Sequence, residues 1–518
     1  MNWTAIIVFV VLFCFVTWLG FMAARWRRGD LGLLNEWGLG GRRFGSWVTW
    51  FLLGGDLYTA YTFVAVPALM FGAGAIGFFA VPYTIMVYPI VYLVFPRLWA
   101  VAHRHGYVTS PDFVRGRYGN RWLALAIALT GMVATMPYIA LQLVGMQVVI
   151  GAMGVETSGW VGDLPLIIAF VILAAFTYTS GLRAPAMIAV VKDLLIYITV
   201  IAAIIVVPIE LGGYGKIFAA IPSPKLLLAA PPAGSWGSFS AYATLAFGSA
   251  CALFLYPHSI TGVLSASSAR AIRRNAAALP AYSMVLGLLA LLGFMAIAAG
   301  VQKMPEFADG FKRYGNNFSV PSLIMFAFPS WFVGVAFAAI AIGALVPAAI
   351  MSIATANIFT RNIYREFMKP ACTDAEESQV AKIVSLVIKV GALVFIFFIP
   401  FQYAIQMQLL GGVWIIQTLP AVMLGLFIRF FNGWALLLGW IVGTALGTWM
   451  MVVMNFAPAY PLHILGETIP CYTAVASLAM NLVVSFVVSL VLNAVASDRH
   501  KDMTVATDYL QQPASTRP

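Results

Sequence analysis

The feature that most constrains this chain is a series of apolar runs, each about twenty residues long, that recurs almost from end to end. An α-helix needs a run of that length to cross the hydrocarbon core of a bilayer. The strands of an outer-membrane barrel are shorter and alternate in polarity, which these runs do not. With 62% hydrophobic and 9% charged residues, the chain is also more apolar than a soluble protein. The sequence therefore predicts an all-α integral membrane protein and excludes a soluble enzyme.

The apolar runs predict about thirteen transmembrane helices, at 3–24, 46–70, 76–100, 122–152, 161–180, 184–209, 238–264, 277–300, 331–360, 381–401, 404–429, 433–455 and 471–495. The first run follows an uncharged segment and precedes Arg25, Arg27 and Arg28, so we expect an uncleaved helix with its N-terminus outside. An odd number of crossings then places the C-terminus in the cytoplasm. Of the basic residues outside the spans, the only ones on the predicted external side are Lys216, Lys225, Lys303, Lys312 and Arg313.

The net charge of +11 does not indicate a nucleic-acid partner, because the basic residues lie between apolar runs rather than on a basic and aromatic face. The four cysteines are scattered and have no metal-binding spacing. A membrane enzyme would need clustered acids or histidines, and His103 and His105 have no acid cluster beside them. We therefore expect no enzyme activity and no cofactor. A signalling receptor is also disfavoured, because little sequence follows the last span.

Two of the predicted spans are interrupted at corresponding places. The second has Gly-Gly-Asp at 54–56, and the seventh has weak points at Gly-Ser 248–249 and at Pro257. The breaks are five spans apart, and an odd repeat length makes the second repeat inverted. Paired broken helices of this kind are typical of transporters that bind their solute near the bilayer midplane. The sequence therefore predicts a five-plus-five inverted-repeat core with a broken first helix in each repeat.

The predicted organisation has six parts. They are the first helix and a basic cytoplasmic loop (1–44), the first five-helix repeat (45–209), an external loop (210–237), the second repeat (238–430), two additional helices (431–497) and a disordered cytoplasmic tail (498–518). Within the first repeat, 107–119 predicts a short cytoplasmic helix capped by Ser110, with Pro111 in its first turn.

Five ionisable residues lie inside the predicted spans: Asp56, Lys192, Asp193, His258 and Lys389. A charge at a helix centre costs on the order of 3 kcal/mol, so each is a functional candidate. Asp56 lies in the first break itself. Lys192 needs an acid, either Asp193 or Asp56, although neighbours on a helix point about 100° apart and need not pair. Lys389 could instead extend to the cytoplasmic surface, and His258 could bond a carbonyl freed by the break.

Several stretches match one known family in order and spacing, namely 107–119, 137–145, 180–184, 190–193, 347–352, 359–364 and 417–421. Through these stretches the chain resembles the sodium/solute symporter family. The resemblance covers roughly residues 3–495. Within the family it is most similar to the bacterial monocarboxylate permeases, at 36–41, 54–62 and 341–349. The resemblance implies alternating access and cation-coupled uptake across the bacterial cytoplasmic membrane.

The resemblance also implies where a sodium ion would bind. Its backbone ligands would be the carbonyls of Gly54 and Leu57, and Ala349 and Ser352 would supply the small residue and first hydroxyl of the eighth core helix. The second hydroxyl position is Ile353, which has no side-chain oxygen. This departure weakens the predicted sodium site.

A second departure lies on the fifth core helix. The family's acid matches Asp193, but the position before it, usually threonine, is Lys192. We hypothesise that Lys192, with Asp193 or Asp56 opposite, substitutes for sodium and couples transport to protons. In the alternative, Lys192 is structural and sodium still binds, with water or Thr355 completing the site. The coupling ion is therefore H⁺ or Na⁺.

The resemblance suggests a short monocarboxylate substrate: lactate, pyruvate, acetate, propionate or alanine. Gln142 and Gln417 match positions that line the family's central cavity. The full set of predicted substrate-binding residues is Asp56, Tyr58, Thr59, Thr62, Gln142, Tyr256, His258 and Gln417. The alternative is a sodium-coupled symporter of the same family for proline, pantothenate or a sugar. A small membrane-protein partner is compatible with either function.

Overall fold

The computed structural model describes residues 1–26, 29–55, 59, 61–155, 162–398, 404–495 and 502–510. In chain order its α-helices are α1 (Trp3–Met22), α2 (Leu34–Leu39), α3 (Ser46–Gly55), α4 (Val66–Ala73), α5 (Ala80–His105), α6 (Ser110–Tyr118), α7 (Arg121–Ala152), α8 (Leu164–Ser180), α9 (Arg183–Glu210), α10 (Tyr214–Ala219), α11 (Ser223–Leu226), α12 (Gly237–Leu253), α13 (Pro257–Leu264), α14 (Ala269–Ala299), α15 (Ala308–Tyr314), α16 (Ser319–Ala327), α17 (Ser330–Phe359), α18 (Asp374–Phe398), α19 (Ala404–Ile415), α20 (Leu419–Val422), α21 (Gly433–Val453) and α22 (Thr473–Val495).

Shorter elements connect or extend these helices. Two are π-helical turns, at Tyr61–Ala65 and Thr360–Met368. The 3-10 turns are Ala23–Arg25, Gly40–Arg42, Gly74–Phe79, Val301–Lys303, Pro305–Phe307, Gly315–Phe318, Ile416–Thr418, Leu424–Leu426 and Ala506–Tyr509. One antiparallel hairpin, β1 (Ala459–Ile464) and β2 (Glu467–Tyr472), joins α21 to α22 and pairs Ala459 with Tyr472.

The membrane-protein class is confirmed by the helices themselves. Among the described residues, ten helical segments are long and apolar enough to cross a bilayer, and α12 with α13 makes an eleventh. The apolar α8 is shorter, at 17 residues. Every one of the predicted spans overlaps one of these helices. The structure thus shows an all-helical membrane protein, while the number of crossings and the side on which each loop lies stay predictions.

Helix α17 lies at the centre of the bundle. In its most apolar stretch 94% of the residues are buried, and the helix contains no Asp, Glu, Lys, Arg or His. It packs against α1, α7, α9 and α18. A helix that is apolar on every face is one that is surrounded by other helices. Because α9 packs against both α17 and α3, the centre of the bundle brings together the segments that carry the predicted cation-coupling residues.

The second broken helix differs in detail from the prediction. Helix α12 runs without interruption through Gly248 and Ser249, so the weak point expected there is wrong. A Cβ at Gly248 would come within 2.6 Å of the Tyr472 ring, so close packing explains this glycine. The break lies at 254–256, the two halves are bent by 51°, and α13 begins at Pro257 as expected. Proline suits a first helical turn because the amide hydrogen that it lacks has no partner there. Of the first predicted break, Gly-Gly-Asp at 54–56, the two glycines are the last residues of α3, and Asp56 lies outside the described residues.

The short helix predicted at 107–119 is present as α6, with a different cap. Thr109, rather than Ser110, is the N-cap, because its hydroxyl accepts from the Asp112 amide while the Asp112 carboxylate accepts from the Thr109 amide. This reciprocal pair is a capping box. Pro111 lies in the first turn, as predicted.

Part of the C-terminal tail packs against the ends of α5 and α6, which differs from the expected disorder of 498–518. We call residues 502–510 the docked segment. Asp508 is 4% exposed and pairs with His105 (2.8 Å) and Arg104 (3.2 Å) at the end of α5. Asp502 pairs with Arg117 of α6, and Tyr509 packs edge-on against another α6 side chain. The sequence pattern did not indicate docking, because each of these partners is far away along the chain.

Candidate functional site

The two central candidates on α9 form a buried ion pair. Lys192 and Asp193 are both 0% exposed, and the Lys192 ammonium lies 2.9 Å from Asp193 Oδ1. The same Nζ donates a hydrogen bond of 2.6 Å to the carbonyl oxygen of Gly55. Gly55 is the last residue of α3. The structure therefore shows Lys192 paired with Asp193, one of the two pairings that the sequence left open; the other acid, Asp56, lies outside the described residues.

The close approach of Lys192 to α3 depends on a glycine. A Cβ at Gly55 would lie 2.7 Å from Nζ, far inside contact distance. A side chain there would push the ammonium away from the Gly55 carbonyl. The neighbouring Gly54, a predicted sodium ligand through its carbonyl, packs on α14, where a Cβ would meet Leu279 at 3.0 Å. Leu57, the other predicted backbone ligand, and Asp56 lie outside the described residues.

Tyr282 of α14 completes this pair, and sequence reasoning missed it. Its hydroxyl donates 2.8 Å to Asp193 Oδ2, the other oxygen of the carboxylate that pairs with Lys192. The rings of Trp50 and Tyr197 pack edge-on against the Tyr282 ring. A buried ion pair is stable only when its remaining polar atoms are also bonded. A tyrosine in an apolar helix has no sequence signal for such a role, since its importance depends on which helix it faces.

The predicted sodium ligands of α17 have contacts of their own. The Ser352 hydroxyl donates to the Ala349 carbonyl (2.8 Å) and lies 3.4 Å from Ser385 Oγ of α18. Ile353 is fully buried and offers no oxygen. The hydroxyl of Thr355, the residue considered as a substitute, donates to the carbonyl of Met351 within its own helix. Among the described residues no group of three or more His, Cys, Asp or Glu could hold a metal ion.

An aromatic cluster surrounds the second break. Tyr138 of α7, Tyr256 at the break and His258 of α13 have ring centroids 5.3 to 5.5 Å apart. Tyr138 and Tyr256 line a cavity of about 40 Å³, which we call the aromatic cavity. Its polar lining residues are Tyr83, Tyr138, Ser249, Tyr256, Gln408 and Tyr472. Tyr256 is thus the member of the predicted substrate-binding set that lines this cavity.

Gln408 of α19 also lines this cavity, although the sequence analysis did not select it. Its buried Oε1 has no hydrogen-bond partner among the described residues. A side-chain amide can donate or accept, depending on its orientation.

The other predicted substrate-binding residues are dispersed. Gln142 is buried and its amide donates to the Tyr138 carbonyl. Gln417 bonds Ser477 and Asn481 of α22, so the structure places it at the contact with a C-terminal helix rather than in the aromatic cavity. Thr59 and Thr62 are buried and close to each other, with 3.4 Å between the Thr59 amide and the Thr62 hydroxyl. Tyr58 lies outside the described residues.

Two stretches that carry the family resemblance, 36–41 and 180–184, meet each other in the structure. Arg183 pairs with the Glu36 carboxylate and donates 3.0 Å to its carbonyl. The Leu182 amide donates 2.9 Å to the Trp37 carbonyl. Glu36 also pairs with Arg43. These contacts hold the start of α9 against α2 and give the matching residues a structural role.

The architecture, with a helix broken at 254–256 and a buried ion pair at the end of α3, is that of a secondary transporter. Solved structures of such proteins share it. A Na⁺-coupled sialic acid symporter in a substrate-bound outward-open state matches with a TM-score of 0.76 over 94% of this chain and 98% of that one, at 13% identity. A nucleobase-cation-symport-1 family transporter in a closed conformation matches with a TM-score of 0.53 over 93% and 100%, at 10% identity. At these identities the likeness concerns the fold alone, and it confirms the inverted-repeat class.

The chain belongs to the sodium:solute symporter family, whose model matches residues 37–443. A monocarboxylate transport permease protein of Rhizobium johnstonii is 51% identical over 506 residues, which cover 96% of this chain and 99% of that protein. An uncharacterized symporter of Bacillus subtilis is 33% identical over 448 residues, covering 86% and 87%. The predicted family membership is therefore confirmed.

Proposed function

We propose that this protein imports short monocarboxylates across the bacterial cytoplasmic membrane by alternating access, and that the coupling ion is a proton. The substrate class is supported by the Rhizobium relative, which is named for monocarboxylate transport and is half identical to this chain over almost its entire length. Lactate, pyruvate, acetate, propionate and alanine are the candidate substrates. The Bacillus relative carries no substrate name and favours no alternative.

The single observation that supports proton coupling is the contact of the Lys192 ammonium with the Gly55 carbonyl and the Asp193 carboxylate. A sodium ion bound here would need the same things, namely carbonyl and carboxylate oxygens around a positive charge. An ammonium supplies the charge itself. The loss of the second hydroxyl at Ile353 agrees with this substitution, because the site no longer needs a full set of oxygen ligands for a metal ion.

Loss of the proton from Lys192 would change the site in a defined way. A neutral amine no longer neutralises Asp193, which would leave a buried carboxylate without its counter-charge. Such a state is strongly unfavourable in a buried site. Protonation of this pair thus favours the arrangement in which α9 is joined to the end of α3, and deprotonation favours their separation. Rearrangement at a broken helix is the kind of motion that alternating access requires.

The aromatic cavity is the proposed substrate site. Its small volume suits a solute of a few heavy atoms, and hydroxyl groups together with the Gln408 amide can bond a carboxylate. The adjoining break at 254–256 leaves the N-terminus of α13 close to Tyr256, and a helix N-terminus favours a negative charge.

Uptake by reconstituted protein tests both parts of the proposal. Liposomes would be given labelled pyruvate under an inward proton gradient without sodium, and then under an inward sodium gradient at equal pH. We expect uptake with the proton gradient alone, and competition by unlabelled lactate or propionate but not by proline, pantothenate or glucose. Uptake that requires sodium would overturn proton coupling. Competition by proline, pantothenate or glucose instead would overturn the substrate class.

A further inference from the structure

A second buried lysine lies in the bundle, and the proposed mechanism does not use it. Lys389 of α18 is 2% exposed. Its Nζ donates to Ser385 Oγ at 2.7 Å and lies 3.4 Å from the Ser385 carbonyl oxygen. The sequence suggested that this side chain could extend to the cytoplasmic surface. In the structure it points into the bundle instead.

The surroundings of Lys389 provide no counter-ion. No carboxylate among the described residues lies within 4.0 Å of Nζ. The elements packed against α18 are α2, α7, α8, α17 and the turn Thr360–Met368. Helix α17 has no titratable residue at all. The titratable groups of the other elements and of α18 itself are Glu36, Arg121, Tyr138, Tyr178, Arg361, Tyr364, Arg365, Glu366, Asp374, Glu376, Glu377 and Lys382.

Each acid in this set already has a basic partner. The pairs are Glu36 with Arg43 and Arg183, Glu366 with Arg115, Asp374 with Arg365, Glu376 with Lys369, and Glu377 with Arg361 and Arg365. The acids of α18 also lie at its cytoplasmic start, at least twelve residues before Lys389, which is about 18 Å at 1.5 Å per residue. An ammonium buried without a carboxylate is destabilised relative to the neutral amine. Lys389 therefore differs from Lys192, whose charge is compensated by Asp193.

A short hydrogen-bonded chain connects Lys389 to α17. As an ammonium, Lys389 can only donate, so Ser385 Oγ accepts from it. The Ser385 hydroxyl is then free to donate towards Ser352 Oγ, 3.4 Å away, and Ser352 donates to the Ala349 carbonyl. Ser385 and Ser352 are both buried, so water does not compete for these bonds.

Deprotonation would reverse this chain. A neutral amine has a lone pair and accepts from the Ser385 hydroxyl. Ser385 Oγ can then accept from Ser352, and the Ala349 carbonyl loses its side-chain donor. The protonation state of Lys389 on α18 thereby affects Ala349 and Ser352. These are the two α17 positions that correspond to the family's cation ligands.

We propose that Lys389, with Ser385 and Ser352, is a second proton-binding site, and that it loads and releases a proton during transport. The inference rests on the proposed proton coupling and adds a second titrating group to it. In this arrangement the Lys192–Asp193 pair takes the place of sodium, and Lys389 is a second group that changes its charge during the cycle.

The transport test compares Lys389→Met, Lys389→Arg and Ser385→Ala with Lys382→Met, a partly exposed lysine near the cytoplasmic start of the same helix. Each variant is assayed for proton-driven uptake across a range of pH and for exchange of labelled against unlabelled pyruvate. We expect both Lys389 variants to lose about tenfold in proton-driven uptake and to show a flat pH profile, with exchange within about twofold of wild type. Ser385→Ala should shift the pH profile, and Lys382→Met should match wild type in both assays.

A direct titration provides a readout separate from transport. Purified protein in weakly buffered detergent is titrated between about pH 6 and about pH 9, below the range in which exposed lysines lose their protons. We expect the Lys389→Met variant to release about one proton fewer than wild type, and Lys382→Met to release the same number.

Three outcomes would overturn the inference. One is a wild-type pH profile and uptake rate in both Lys389→Met and Ser385→Ala. Another is an unchanged proton count in Lys389→Met. If Lys389→Met does not fold, a wild-type pH profile in Ser385→Ala is enough to decide against the hydrogen-bonded chain from Lys389 to Ser352. Failure of the proposed function is distinguishable, because it appears in the wild-type protein as uptake that requires sodium.

Discussion

At the scale of single residues, the absence of one side chain determines whether the Lys192 site can form. The ammonium reaches the Gly55 carbonyl only because no Cβ occupies the space between them. The two glycines at 54–55 were interpreted from sequence as a weak point in a helix. The structure gives them a second function, because each allows close contact with another helix, Gly55 with α9 and Gly54 with α14.

Gly55→Ala should therefore disrupt the site without removing any polar atom. Its Cβ would lie 2.7 Å from Nζ, so Lys192 must move and lose the carbonyl contact. We expect proton-driven uptake to fall at least about tenfold, since a hydrogen bond to a charged group contributes about 1.5–3 kcal/mol. The measurement is pyruvate uptake in liposomes. Gly45→Ala is the control, because a Cβ there has nothing within 4 Å. Equal uptake by the two variants would argue against the site.

The departures at positions 192 and 353 predict a change of coupling ion. The double variant Lys192→Thr with Ile353→Ser removes the ammonium and restores the missing hydroxyl. We expect sodium to stimulate uptake by this variant about tenfold, whereas wild type should not respond. Lys192→Thr alone is the matched control, and it should transport poorly with either ion. A double variant that stays independent of sodium would count against the substitution hypothesis.

The position of Gln408 in the aromatic cavity predicts that this residue contributes to the affinity for the substrate. Its amide lines the aromatic cavity and its Oε1 has no partner among the described residues. Gln408→Ala should raise the KM for pyruvate about tenfold while changing kcat less, because a ground-state contact to the substrate is lost. Gln406→Ala, on the same helix but outside the cavity lining, should leave KM unchanged. An unchanged KM in Gln408→Ala would place the substrate elsewhere.

At the scale of elements, the features set by a residue's own chemistry could be predicted from sequence, whereas those set by tertiary contacts could not. Pro257 marked the start of α13 correctly, because the missing amide hydrogen is a property of the residue itself. Gly248 and Ser249 did not break α12, because a glycine in a helix is also compatible with tight packing against a neighbour. The docked segment was unpredictable for a related reason. The basic partners of its acids, Arg104, His105 and Arg117, lie on α5 and α6, far away in the sequence, and only the fold brings them close.

The docked segment should respond to acid through Asp508. Burial raises the pKa of this carboxyl, but the Val505 amide, His105 and Arg104 outweigh it, and the net pKa lies below the usual value. A carboxyl with a lowered pKa stabilises the docked state above its usual pKa, near 3.9, and that stabilisation is lost as the pH falls through the lowered value. Docking should therefore persist at neutral pH and weaken in acid.

Hydrogen exchange of the amides in 502–510 measures this docking. Asp508→Asn should increase exchange several-fold at neutral pH, because the charge-assisted bonds to His105 and Arg104 are lost. The control is Asp309→Asn on the distant helix α15, which should leave the segment unchanged. Equal exchange in wild type and Asp508→Asn would show that these ion pairs do not hold the segment.

At the scale of the whole molecule, the proposed coupling sets the electrical behaviour of transport. A monoanion that moves with the one proton of the Lys192 site carries no net charge across the membrane. A second proton released from Lys389 in each cycle adds one positive charge. A potassium diffusion potential of about 100 mV, imposed with valinomycin, should then change accumulation by about 2.3 kcal/mol, or roughly fiftyfold. Accumulation is measured with labelled pyruvate at fixed pH gradient, and a change of less than about twofold would show that a single proton moves with each substrate.

Hydrophobicity and local stereochemistry are properties that the residues carry with them. For that reason the sequence by itself determined the membrane class, the placement of the helices, the break at Pro257 and the family. Only the tertiary structure decided which buried groups meet. It paired Lys192 with Asp193 across the expected 100° separation, because a long flexible stem can turn towards its neighbour. It brought Tyr282 to the same carboxylate, directed Gln417 to α22 and, among the described residues, placed Lys389 beside Ser385 rather than an acid. These outcomes depend on distances between helices far apart in the chain, which no local pattern encodes.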